Sequence, residues 1–471
     1  MWDPSIWGLR TVPFELTRVK SAAAIITAAA IAALGVSRAS AEALLLIEAD
    51  SGKVLYAENA TYPWYPASLT KLMTLYVTLH AVKDGRYTLD SLLSVSQFAS
   101  AQKPAKMGLK PGQQVTVDNS LKMLMVRSAN DIAVVIAEGV SGSVEKFSDQ
   151  MNLAAARLGM TQSSFVNPNG MPAEDQISSA RDLAILARAL IREFPEYDMY
   201  WHIPAIRFGA KTTQNYNKLI GRYPGTDGMK TGFICASGFN LVASATRKGR
   251  RLIAVVLGSS SGGARTAKAA QMLERGFNGA GLAWLAPSLG NVENLAAIDA
   301  APPDMRETIC GASANRKKPA SESEDDDIAD NTPSDDPNNP QHFKLSNLGP
   351  SAKASTLLGP KVEAANPIEV YVGPSRKPAE TQFIATRAKL NGGKKPAATK
   401  PGKATSTETN QIAAAPSSQT APAKNTADTD APQPWMSFAP TSNTPSTTEF
   451  VPGSATMPVP RPRPKAKLNG Q

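Results

Sequence analysis

Two apolar, β-branched runs, residues 238–246 and 251–258, flank Lys248-Gly249-Arg250. Such runs joined by a glycine-containing turn predict an antiparallel hairpin. A matching pair opens the globular part of the chain: Ala43–Glu48 is apolar, Asp50-Ser51-Gly52 supplies turn residues, and 53–57 reads as the returning strand. Between the pairs lie helical patterns at about 67–82, 119–125, 131–139, 147–158 and 180–193, and a last helix spans about 265–277. The run 131–139 is nearly apolar all round, as a central buried helix should be. Strands at both ends with helices between them predict an α+β fold. Its antiparallel sheet is formed by both ends of the domain, with flanking helices and a mostly helical lobe. Residues 42–288 suffice for one such domain.

The flanks have a different texture. Arg10, Arg18 and Lys20 precede an alanine-rich apolar run, 21–36, and Ala39-Ser40-Ala41 offers a small-residue cleavage site. Residues 1–41 therefore read as an export signal, which predicts a periplasmic protein. The run falls short of the roughly 20 apolar residues a membrane span wants, and an uncleaved anchor is the alternative. Residues 289–471 carry an acidic run at 322–327, then Pro/Asn-rich and Ala/Pro/Lys/Thr/Ser-rich sequence ending in Pro458-Val459-Pro460-Arg461-Pro462-Arg463-Pro464. That composition buries too little apolar surface to offset chain entropy, so a long disordered tail is expected, with contacts to the cell wall or membrane surface as its role. Two islands, 368–372 and 435–438, are candidate docking motifs. Part of the net charge of +10 sits in this tail, so it implies no nucleic-acid partner. Cys235 and Cys310 are too few for a disulfide scaffold; they either pair, pinning the tail to the domain, or remain free thiols.

Three motifs carry chemistry. In Pro66-Ala67-Ser68-Leu69-Thr70-Lys71 a helix begins near Ala67, placing Ser68 in its first turn and Lys71 one turn on along the same face. That spacing suits a serine nucleophile with a lysine amine as base. It also occurs at Ser100–Lys103 and Ser143–Lys146, so alone it decides nothing. Ser128-Ala129-Asn130 puts a hydroxyl and an amide two residues apart before the buried helix, able to relay a proton and to hold a carbonyl. Lys230-Thr231-Gly232 supplies a positive charge, a hydroxyl and a glycine allowing close approach, a receptor for a carboxylate.

Ser-x-x-Lys, Ser-x-Asn and Lys-Thr-Gly in that order form the signature of the penicillin-recognising serine enzymes. The longer strings Pro66–Thr74, Asp227-Gly228-Met229-Lys230-Thr231-Gly232 and Gly238-Phe239-Asn240-Leu241-Val242-Ala243-Ser244-Ala245 resemble the D-alanyl-D-alanine carboxypeptidases, the low-molecular-mass penicillin-binding proteins. The resemblance covers about 43–280 and implies a β-lactamase/transpeptidase-like fold. It implies a substrate too, the peptidoglycan stem peptide ending in D-Ala-D-Ala, and β-lactams as covalent inhibitors. It assigns Ser68 as nucleophile, Lys71 as base, and Ser128 and Asn130 to proton transfer and substrate positioning. The backbone N–H groups of Ser68 and Phe233 would form an oxyanion hole beside Gly232, with Lys230, Thr231 and Arg265 facing the terminal carboxylate. A D,D-endopeptidase would use the same residues on cross-links, and a non-catalytic wall-binding scaffold is the other alternative. The glutamate that class A β-lactamases use for deacylation has no clear counterpart. Nor are the family's β-rich second domain and C-terminal amphipathic helix recognisable after Leu289. With His80, His202 and His342 as the histidines, neither a serine–histidine triad nor a zinc cluster is expected, and no cofactor.

Overall fold

The computed structural model describes residues 42–278, 289–311, 357–360 and 366–374. The expected signal, 1–41, and the island at 435–438 lie outside the described residues. The chain divides into two units, 1–409 and 410–471, and every described residue belongs to the first.

β1 (Ala43–Glu48) and β2 (Val54–Glu58) open the domain, followed by a 3-10 turn, Ala67–Thr70, that runs directly into α1 (Lys71–Lys83). Next come β3 (Leu92–Ser94), α2 (Gln97–Ser100), β4 (Gln114–Thr116), α3 (Val117–Val126), α4 (Asn130–Ser141), α5 (Val144–Arg157), α6 (Ala180–Glu193) and α7 (Met199–His202). A hairpin of β5 (Ala205–Phe208) and β6 (Lys211–Gln214) precedes β7 (Thr226–Ile234), β8 (Gly238–Arg247), β9 (Arg250–Ser259) and α8 (Gly262–Asn278). The described remainder includes α9 (Arg306–Cys310) and β10 (Ile368–Val370).

The main sheet runs β2-β1-β9-β8-β7 with every pairing antiparallel, so the two ends of the domain meet as β1 against β9. Strand alternation sorts its side chains into two layers. Leu45, Ile47, Ile253 and Val255 face the helical lobe, while Leu44, Leu46, Leu252 and Val256 pack against Ala269, Met272 and Leu273 of α8. Both faces are covered, which is why β1 is a continuous apolar run rather than an alternating one.

Sequence texture predicts α4 as the central helix, yet α1 is at least as enclosed: every residue from Lys71 to Ala81 is buried. Its polar residues escape the cost of burial by bonding locally. Thr74 Oγ1 donates to Pro168 O at 2.6 Å, and Thr78 Oγ1 donates to Thr74 O at 2.6 Å. The packed structure also passes the boundary expected at residue 288. Val54 N donates to Gly290 O, Val292 is fully buried, and a Cys235–Cys310 disulfide joins β7's end to α9. The island at 368–372 contributes β10, which pairs in parallel with β5 and buries Ile368 and Val370. The β5–β6 hairpin, with Gly209 at φ +58°, is built from four-residue strands whose β-branched residues are Ile206, Thr212 and Thr213, too short a pattern to stand out at sequence level.

Candidate active site

The 3-10 turn presents Ser68 at the floor of a cleft of about 460 Å³. Lys71 is fully buried, and its Nζ lies 2.9 Å from Ser68 Oγ, 2.9 Å from Asn130 Oδ1 and 2.6 Å from the Asn169 carbonyl oxygen. Two of those neighbours are pure acceptors, while the third is a hydroxyl. A neutral amine has two N–H bonds and one lone pair, so donating to both carbonyl oxygens leaves the lone pair for the Ser68 O–H. The other Ser-x-x-Lys spacings build nothing of this kind. Ser143 caps α5 by accepting from Lys146 N, and Ser100 Oγ donates to Gln97 O.

Ser128 and Asn130 enter from the α3–α4 connection, as the spacing predicts. Ser128 Oγ accepts from Lys230 Nζ at 2.9 Å, and Lys230 also donates to Thr231 O at 2.9 Å. Asn130 Nδ2 donates to Lys103 O at 3.0 Å, and its backbone N to Ala105 O at 2.8 Å. Asp131 pins the same loop by accepting from Met107 N and Gly108 N. Two non-glycine residues here hold positive φ, Ala67 at +49° and Ser128 at +56°. Each costs about 1–3 kcal/mol in isolation, a cost that persists only where surroundings dictate the geometry.

Strand β7 is an edge of the sheet and lies against the Ser68 turn. A Cβ on Gly232 would sit 2.9 Å from Pro66 O and 3.1 Å from Ser68 N, so only glycine lets the strand come this close. That approach brings the backbone of Phe233, which lines the cleft, beside Ser68. Thr231 is buried, and its Oγ1 has no hydrogen-bond partner among the described residues. Arg265 is fully buried in the first turn of α8. Its Nη1 donates to Gly232 O at 3.4 Å and Asn240 O at 3.3 Å, with the guanidinium 5.5 Å from the Phe239 ring centroid. Arg265 thus reaches one carbonyl on each of β7 and β8, and the direct wall of the cleft is made by other residues.

Several of those residues are invisible to motif reading. Asn169 closes the Lys71 triad, and Gly170 at φ +79° is wedged so tightly that a Cβ would lie 1.8 Å from Ala67 O. Asn240 Nδ2 donates to Tyr65 O, and its Oδ1 accepts from Gly258 N, tying β8 and β9 to the Ser68 turn. Arg127 lines the cleft with its guanidinium donating to the Tyr216 hydroxyl and 5.8 Å from that ring. None of these belongs to the three short motifs, although Asn240 falls within the longer string 238–245.

The D-alanyl-D-alanine carboxypeptidase family profile matches residues 28–261. The chain is 39% identical over 244 residues to D-alanyl-D-alanine carboxypeptidase DacC of Escherichia coli, covering 50% of this chain and 61% of that protein. Against DacF of Bacillus subtilis it is 35% identical over 253 residues, 50% of this chain and 62% of the relative. The chain thus spans about three fifths of the length of these two curated relatives. DacB2 of Mycobacterium tuberculosis, 31% identical over 224 residues, is matched over 74% of its length. With family profile, relatives and the ordered motifs in agreement, the chain belongs to the D-alanyl-D-alanine carboxypeptidase family.

Proposed function

We propose that this chain is a serine D,D-carboxypeptidase that removes the terminal D-alanine from peptidoglycan stem peptides, and that β-lactams acylate the same serine. The observation that carries the reading is Lys71 Nζ, 2.9 Å from Ser68 Oγ and flanked by two carbonyl acceptors. Lys71 takes the Ser68 proton as Oγ bonds to the carbonyl carbon of the penultimate D-alanine. The oxyanion is held by the N–H groups of Ser68 and Phe233. As the intermediate collapses, the C–N bond breaks, Ser128 gives its hydroxyl proton to the leaving amine and is reprotonated from Lys71, which is neutral again, with Lys230 holding the Ser128 oxygen in place. Water then attacks the acyl-enzyme, its proton returns through Lys71, and Ser68 is regenerated.

The unpartnered Thr231 hydroxyl supports a carboxylate receptor beside Lys230, since a buried hydroxyl without a partner is costly. Arg265 contributes its charge from behind the strands, through the Gly232 carbonyl of β7 and the Asn240 carbonyl of β8. Export through residues 1–41 places the enzyme in the periplasm; among the described residues no helix is long and apolar enough to cross a membrane. The test is incubation with labelled penicillin followed by peptide mapping, together with D-alanine release from a pentapeptide. Label on Ser68 and release lost in Ser68→Ala are expected. Label at Ser100 or Ser143 instead would sink the assignment.

A further inference from the structure

The cleft rim contains a residue delivered from beyond the expected domain boundary. Arg306 lines the cleft next to Cys235 and Ala236, which follow the end of β7. Two ties hold it there. Met305 N donates to Ala236 O at 3.0 Å on one side of Arg306, and Cys310 is disulfide-bonded to Cys235 on the other. Met305 and Ile309 are buried beneath the segment, so the backbone carrying Arg306 is anchored while its side chain stays exposed. Asp304 pairs with the guanidinium at 2.5 Å from two residues away, in solvent, where such pairs are weak and readily exchanged. Among its described lining the cleft has two arginines, Arg127 and Arg306, and no carboxylate side chain.

The direction of the substrate follows from the reading above, on which this inference rests. The terminal carboxylate lies at Lys230 and Thr231, and the scissile carbonyl at Phe233, so the rest of the peptide runs along the β7 edge toward residues 234–236. An extended chain on an exposed edge strand is a recurrent mode of peptide recognition. Ile234 ends the strand about 3.3 Å beyond Phe233, and Cys235 and Ala236 form the turn that follows at that end of the cleft. Arg306 lines the cleft beside this turn, next in line for the residue immediately before the D-alanyl pair. We propose that Arg306, held by the Cys235–Cys310 disulfide, is a specificity residue that binds a side-chain carboxylate on the third residue of the stem peptide.

The experiment uses the mature protein and two pentapeptides that differ only in the third side chain, one ending in a carboxylate and the other in the corresponding carboxamide. Wild-type kcat/KM should favour the acid by about tenfold or more, as for a charge pair at a partly exposed site. Arg306→Ala should collapse that ratio toward one, chiefly through KM, and Arg306→Lys should restore part of it. The Cys235→Ser/Cys310→Ser double variant should also lower the ratio, because the segment then loses its tie. Penicillin acylation of Ser68 in the same samples reports whether each cleft is intact. If wild type releases D-alanine from both peptides equally, the proposal is overturned whatever the variants do. An acid preference that survives in Arg306→Ala overturns it as well. Failure of Ser68 to acylate in wild type would instead strike the carboxypeptidase reading itself.

Discussion

Lys71 and Arg127 both serve the same cleft, but on different terms. Lys71 is wholly enclosed and meets groups from three separate stretches: its own turn, the start of α4 and the 167–170 loop. Arg127 is half-buried and leans on one phenol, Tyr216. The floor of the cleft resembles Lys71 throughout, with Ser128, Asn130 and Lys230 all buried and bonded. The rim resembles Arg127, and one of its members, Arg306, arrives from past residue 288. Chemistry here is assigned to groups that cannot move, because a misplaced base costs orders of magnitude in rate. The side-chain recognition proposed for Arg306 falls instead on an exposed group of the rim.

The sharpest way to break that contrast is Lys71→Ala. If the floor works as one unit, acylation by penicillin should slow by several orders of magnitude in single-turnover measurements, with the fold retained by circular dichroism. A loss of tenfold or less would mean that another base serves Ser68, and the floor would no longer differ from the rim.

Truncation separates the two regions next. Every floor residue lies within 42–278, whereas Arg306 and Cys310 lie beyond. A chain ending at 288 should therefore still acylate at Ser68. It should also be less stable than one ending at 311, by about 3–5 kcal/mol, chiefly from the disulfide that closes a 75-residue separation. Val292, fully buried, adds to that loss. Identical urea midpoints for the two chains would show that residues 289–311 are only draped on the domain.

Arg265 tests where floor ends and recognition begins. As part of the carboxylate receptor, Arg265→Ala should lose roughly 2–5 kcal/mol of transition-state binding on the free acid and far less on the C-terminally amidated peptide. Equal losses on both would assign its guanidinium to holding the Gly232 and Asn240 carbonyls alone.

Residues recruited through local spacing were legible in the sequence. Ser68 and Lys71 share a helical face, Ser128 and Asn130 flank a helix start, and Lys230 to Phe233 follow one another on a strand; their order matches the family signature, and that resemblance implies that they converge. The sheet was legible for the same reason, since continuous apolar runs around turn residues at both ends announce their hairpins. Asn169, Tyr216 and Arg306 were not, because each reaches the cleft through a contact remote in sequence. Asn169 meets Lys71 across 98 residues through a backbone carbonyl, a group no side-chain pattern can advertise. Arg265 was legible as a residue but not in posture: nothing in a helix-start arginine says that its charge will be buried against two carbonyls.

The smallest expected effect lies far from the cleft, where α8 meets the outer end of β8. Burial alone would raise the Glu274 carboxyl, but hydrogen bonds from Arg247 at 2.8 Å, Tyr223 at 3.0 Å and Asn278 at 2.9 Å hold it below its usual range. A carboxyl whose folded pKa is depressed stabilises the fold above its ordinary value. That contribution is lost as pH falls through the depressed one. Glu274→Gln should therefore lower the urea midpoint at neutral pH, and the gap to wild type should close on acidification to below about pH 4. The pair is partly exposed and screened, so the effect at neutral pH should stay below about 1 kcal/mol. Arg247 also stacks on Tyr223 and Phe277, contacts the substitution leaves in place. A gap that persists unchanged at low pH would show that Glu274 acts by packing rather than by charge. If penicillin acylation fell along with stability, the assumed independence of the cleft floor from this surface would fail too.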